Sequence, residues 1–336
     1  MAASRRKPEV DATRPFLHVP VDLRDGAECQ RVLGNLHDID HIVFAALYEK
    51  PGLVAGWSEQ DQMQTNLGML RNCIDVLAAA KPNRLRHVSL MQGTKAYGLH
   101  LHPMSIPARE REPRDPHPNF YWLQEDYLKV KAAACGFSFT ILRPQMVKGS
   151  AYNAAMNVAP VLGAYAAICR EENRPFGFPG GPSFVWEATD ARIVAKALVW
   201  VALTPQAHGE HFNVTNGDVF EWRSVWPAIA QTLGLPAAGD APCELKRFLP
   251  EKSAVWDRIL TRNRLRPIGL KELLGESHHL ADFCFAYGAP EAPPPAFVST
   301  IKIRQTGFHE TIDTEDMFRY WLSSFIERRI IPGPAA

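Results

Sequence analysis

The sequence predicts an α/β fold, a doubly wound parallel sheet with helices on both faces. Three observations point there. Short apolar runs alternate with helical segments through the first half of the chain, the pattern of a parallel sheet with crossover helices. After His41, residues 42–47 are continuously apolar, as expected of a strand buried on both faces. The chain has 336 residues, 46% of them hydrophobic and 22% charged, enough for a real core in one large or two modest domains.

In chain order, residues 16–21 read as a short strand and 25–37 as a helix. The run 41–47 follows, then a long helix over 58–80 with Ser58 as its N-cap and Asp61 in its first turn. Leu67, Leu70, Ile74 and Leu77 form that helix's apolar stripe at 3-and-4 spacing. A strand is expected at 85–90, a helix at 120–134 and a strand at 137–142. The second half is less regular: helices at 157–171, 189–203 (with Asp190 as cap or first-turn acid) and 222–234, a strand at 211–214, and a final amphipathic helix at 314–328. Ligands in such folds sit beyond the carboxyl ends of the strands. That directs attention to Asp22, Ala46, Leu47 and residues 91–95 and 144–149.

Composition excludes several classes. Lys plus Arg number 37 and Asp plus Glu 36, a net charge of +1, without the basic excess that nucleic-acid binding needs. No run of about 18 apolar residues predicts a membrane span, and no apolar segment near the start reads as a secretory signal, so a cytoplasmic protein is expected. Six scattered cysteines with no C-x-x-C pair read as reduced thiols. His100 with His102, and His278 with His279, lack a third ligand, so no metal site is predicted. Phe176, Phe178, Phe184, Trp186 and Phe285 either border a substrate space or pack in the core.

No G-x-G-x-x-G occurs anywhere in the chain, although a dinucleotide site normally carries it. Other strings are informative: Ser4-Arg5-Arg6, Val21-Asp22-Leu23, His87-Val88-Ser89-Leu90 leading to Gly93-Thr94-Lys95-Ala96-Tyr97, Asn119-Phe120-Tyr121-Trp122-Leu123-Gln124-Glu125-Asp126, Arg143-Pro144, 164–169, Asn213-Val214-Thr215-Asn216-Gly217-Asp218-Val219-Phe220, and Ile331-Pro332. Through them the chain resembles, nearly end to end, the progesterone 5β-reductase/iridoid synthase-like enone reductases of the extended short-chain dehydrogenase/reductase superfamily, which also holds the NAD-dependent epimerase/dehydratase-like enzymes. The resemblance implies a Rossmann-like sheet over 1–150, completed by segments near 185–220. A smaller substrate lobe from 151–184 and 221–336 accompanies it. It implies 1,4-addition of hydride from NADPH to an activated enone or enal, and a homodimer.

In residues, the resemblance implies that the Tyr121 hydroxyl faces the substrate oxygen, where a fixed donor meets developing charge, and that Lys95 tunes and orients it. Arg5 and Arg6 would read the 2′-phosphate, making NADP(H) the cofactor. Asp22 and Leu23 would flank the adenine. Ala46, Leu47, Met91, Pro144, Val147, Asn153, Ala154 and Ala155 would line the rest of the cofactor. At Ala46, Leu47 and Met91 this chain departs from the family's usual residues.

Tyr127 and Lys131 also satisfy the superfamily's Tyr-x-x-x-Lys spacing. Six residues at about 100° each turn Tyr127 to another face of the helix from Tyr121, and Glu125 stands where Tyr121 would need its lysine. Set against its motifs, the chain is expected to lack one N-terminal β–α unit, roughly 30 residues. Two other readings follow: carbonyl reduction or epimerisation on the same scaffold, and a non-catalytic homologue with impaired cofactor binding.

Overall fold

The computed structural model describes residues 1–9, 15–50 and 55–334. Strands β3 (His41–Phe44), β4 (His87–Met91) and β5 (Ser138–Pro144) lie side by side with the His211–Val214 strand in one four-stranded sheet, every pair parallel. The expected α/β architecture is therefore present. Strands β1 (Ala2–Ser4) and β2 (His18–Pro20) form a separate parallel pair. Among the described residues no ladder joins the two sheets. A cavity of about 550 Å³ lies where residues 1–5, 21–24 and 41–48 face one another.

The helices follow their local chemistry. α1 (Gly26–Leu33) is capped by the Asp25 carboxylate, which accepts from the Glu28 backbone N–H. α2 (Gln60–Ala80) buries Leu67, Leu70, Ile74 and Leu77, the stripe its spacing predicts. Its cap is Glu59, whose side chain makes no capping bond, because Ala55–Ser58 is taken up in a preceding 3₁₀ turn. Ser58 is therefore not the cap. α3 (Phe120–Cys135) starts at Asn119 and ends at Gly136, whose φ of 75° is left-handed and suits glycine. Strand ends differ from their apolar runs in both directions: residues 45–47 leave the sheet after Phe44, whereas β5 runs on to Pro144.

One core cluster packs α2 and α3 against β3, β4 and β5. A second surrounds α4 (Val158–Glu171), whose residues 158–169 are all buried. α4 packs against the final helix, Thr314–Glu327, which also meets α6 (Trp222–Thr232). Phe176, Phe178 and Phe285 belong to this core, grouped with Trp226. α5 (Ala191–Leu203) is capped by Asp190, which accepts from the Arg192 N–H at 2.7 Å. The loops leaving β3, β4 and β5 converge beside this second core, and the site lies between.

Candidate active site

Those three loops enclose a cavity of about 230 Å³ with mainly apolar walls. Its polar groups include Glu49 from the loop after β3, Gln92 and Lys95 after β4, Gln145 after β5, and Tyr121 from the first turn of α3.

Tyr121 is held from three sides. The Asn119 side-chain oxygen accepts from the Tyr121 N–H at 3.0 Å, while its amide donates to the Lys95 carbonyl at 3.2 Å. One side chain thus ties the helix start to the Lys95 turn. Gln92 Nε2 donates to the Tyr121 carbonyl at 3.3 Å. A Cβ placed on Gly93 would stand 3.3 Å from the Tyr121 hydroxyl, so glycine leaves that oxygen its place against the loop. The hydroxyl makes no hydrogen bond to any described residue. Burial, reinforced by Glu49 and opposed by Arg143, pushes its pKa above the usual phenol value. Tyr121 thus keeps its proton and is a donor.

Lys95 is placed differently from the sequence expectation. Its Nζ lies 3.5 Å from Glu49 Oε1 and 3.4 Å from the centre of the Trp57 ring. Among the described residues it has no hydrogen bond to Tyr121, so in this structure Lys95 is not the phenol's direct partner. The cation that acts on the phenol is Arg143. Glu49 is itself fixed by Trp57 Nε1 at 3.0 Å and Gln62 Nε2 at 3.3 Å. Burial lowers the Lys95 pKa to about 8, with Glu49 pulling the other way.

Behind Tyr121 lies a buried polar hub. Arg143, at the end of β5, donates from Nε to Gln92 Oε1 at 3.0 Å and from Nη1 to the Tyr97 hydroxyl at 3.3 Å. Glu125 receives Arg114 at 2.9 Å and Lys129 at 2.6 Å on Oε1, with His211 Nε2 at 3.2 Å. Burial would raise its pKa, but these polar contacts outweigh burial and hold the carboxyl well below the carboxylate range. Removing one partner of such a buried cluster leaves uncompensated charge, so Glu125→Ala is expected to cost about 3 kcal/mol or more. Urea denaturation reads this, and an unchanged midpoint would contradict it.

The rival pair lies elsewhere. The Tyr127 hydroxyl donates to Asp75 Oδ1 at 2.9 Å, and Lys131 pairs with the same carboxylate of α2. Neither lines the cavity.

The cofactor-side residues divide. Leu47 borders the Tyr121 cavity, the 550 Å³ cavity between the sheets, and a third of about 1180 Å³. Pro144 and Val147 border the first; Val147, Asn153, Ala154 and Ala155 border the third. Gly275 passes so close to the Asn153–Ala154 backbone that a Cβ would lie 2.7 Å from the Ala154 oxygen, which fixes this wall. Arg5, Asp22, Leu23 and Ala46 border the cavity between the sheets. Asp22 is engaged by a fork of hydrogen bonds from Arg24, and its pKa falls to about 2. Arg6 is exposed and borders none of these three cavities. Met91 packs with Leu142 and Phe212 instead of lining the site; Gln92, next in sequence, does line it.

Glu49 and Trp57 are site residues that no sequence motif marks; Gln92 lies in the 91–95 segment beyond β4, where the sequence assigns it no role. Asn119 and Arg143 stand in the quoted strings, but the strings give them no role.

The family described as "PRISE-like Rossmann-fold domain" matches residues 25–270. An (S)-8-oxocitronellyl enol synthase of Camptotheca acuminata is 31% identical over 285 residues, 80% of this chain and 71% of that protein. A 3-oxo-Delta(4,5)-steroid 5-beta-reductase of Arabidopsis thaliana is 31% identical over 288 residues, 81% of this chain and 71% of its own length. Among solved structures, RMD from Pseudomonas aeruginosa complexed with NADPH matches with a TM-score of 0.62 at 15% identity, covering 95% of this chain and 92% of that one. UDP-glucose 4-epimerase from Bifidobacterium longum, in complex with NAD+ and UDP, gives 0.61 at 16%, covering 94% and 84%. These two share the extended short-chain dehydrogenase/reductase fold. With the family match spanning most of the chain and relatives above 30% identity, this protein belongs to the PRISE-like Rossmann-fold family of oxidoreductases.

Proposed function

We propose that the chain is an NADPH-dependent reductase of the C=C bond of activated enones or enals. The observation that carries this is the Tyr121 hydroxyl: a protonated donor, without a hydrogen-bond partner among the described residues, on the wall of a mainly apolar cavity. Such a donor, fixed before reaction, stabilises the negative charge that 1,4-addition develops on the carbonyl oxygen.

The residues present fit a nicotinamide dinucleotide at its two ends. The three cavities meeting at Leu47 run from Tyr121 to Arg5. Tyr121, Pro144 and Val147 would border the nicotinamide, Asn153, Ala154 and Ala155 the middle, and Arg5 the 2′-phosphate. When bound, the cofactor supplies the hydride. The chain's part is to orient the enone carbonyl toward Tyr121, to exclude water with the apolar walls, and to donate a hydrogen bond from the phenol. Lys95, released from Glu49, would reach ribose hydroxyls. Proton delivery to the carbon would come from solvent.

NADPH titration of the purified chain, followed by fluorescence, tests the cofactor assignment. Micromolar binding that weakens in Arg5→Ala is expected. No binding up to millimolar concentration supports the non-catalytic reading instead. Among the described residues no helix is long and apolar enough to cross a bilayer.

A further inference from the structure

Two chambers meet at one imidazole. The cavity that holds Tyr121 shares Leu99, His100, Trp186 and Phe283 with a second of about 530 Å³, which extends past Phe184 to residues 293–295. The shared side chains carry two polar groups, the His100 imidazole and the Trp186 indole N–H, and the latter is sealed from solvent.

The His100 ring is packed edge-on against Trp57 and His117, with ring centres 5.7 and 5.0 Å away. Its Nδ1 is sealed from solvent and has no hydrogen-bond partner. Its Nε2 is not sealed, and no described residue bonds to it. Burial, with His117 and Lys95 adding to it, lowers the pKa to about 4, so the ring is neutral at neutral pH. A neutral imidazole carries one N–H. At Nδ1 that N–H would stay unsatisfied, whereas at Nε2 solvent or a ligand can take it. His100 therefore offers an N–H donor where the two chambers join. Of the other polar side chains nearby, His102 pairs with Asp115 and Asp282 accepts from the Leu245 and Lys246 backbone, while the Trp186 Nε1 is buried away from the chamber space.

We propose that His100 is a second recognition point, donating from Nε2 to an oxygen that the substrate carries beyond its reacting carbonyl. The ligand class is an elongated, mainly apolar enone or enal with a distal hydroxyl or carbonyl, its far part lying in the second chamber. The identity of the reacting end rests on the reductase reading; the distal contact does not require turnover.

The test is therefore a binding one. The probes are a homologous series of saturated 2-ketones with and without a terminal hydroxyl, titrated calorimetrically into the native protein, His100→Phe and His100→Gln. At the matching chain length the hydroxyl is expected to tighten binding to the native protein about tenfold. His100→Phe removes that advantage and leaves the Kd of the plain ketone unchanged, which also shows that the variant is folded. His100→Gln, which keeps an N–H donor, restores part of it. The proposal is overturned if no chain length shows a hydroxyl advantage in the native protein, or if His100→Phe weakens both ketones equally. Failure of the reductase reading would show separately, as absence of NADPH oxidation with a short enone.

Discussion

Tyr121→Phe is expected to lower kcat for enone reduction by about 10²–10³-fold, the usual cost of losing one fixed donor to a developing oxyanion. The KM for the enone should change little, because the ring and its packing remain and the lost bond strengthens only as charge appears. Tyr127→Phe is the control. It removes a bond to Asp75 between α2 and α3, so it should affect stability and leave turnover intact. The paired assay separates a catalytic phenol from a structural one on the same helix. Loss of turnover in Tyr127→Phe with retention in Tyr121→Phe would reverse the assignment.

The second large effect is on the pH profile. Lys95 is held at a pKa of about 8 chiefly by burial, so its cation is lost as pH rises through that value. If the charge is used in binding or turnover, kcat/KM falls above pH 8. Glu49 favours the cation, so Glu49→Gln should move this alkaline limb to lower pH. Lys95→Arg, whose guanidinium stays charged, should remove the limb whatever it does to the maximum. The Tyr121 phenol, pushed above its usual value, adds no titration there. A profile flat through the range in which an ordinary lysine stays protonated would show that the Lys95 charge has no part in the reaction.

How far the sequence discloses this site depends on the distance over which each interaction acts. The α2 stripe is legible because helical periodicity is local, and Leu67, Leu70, Ile74 and Leu77 are all buried. Tyr121 is legible through the string that surrounds it and Lys95 through the strand that precedes it. The partners of Lys95 are not. Glu49 and Trp57 come from the segment after β3, some forty residues away, and reach Lys95 only because β3 and β4 are neighbours in the sheet. Arg143 likewise acts through Gln92, 51 residues distant. Met91 and Gln92 show the limit of register: one residue decides which faces the site, and the end of β4 turns Met91 to the Phe212 side.

The central claim, that Tyr121 serves a reduction of the C=C bond, is tested most directly by identifying the product. An enone incubated with the purified chain and NADPH should yield the saturated carbonyl compound, with one NADPH oxidised per molecule formed and almost no product from Tyr121→Phe. An allylic alcohol as product, or saturated product formed equally well by Tyr121→Phe, would contradict it.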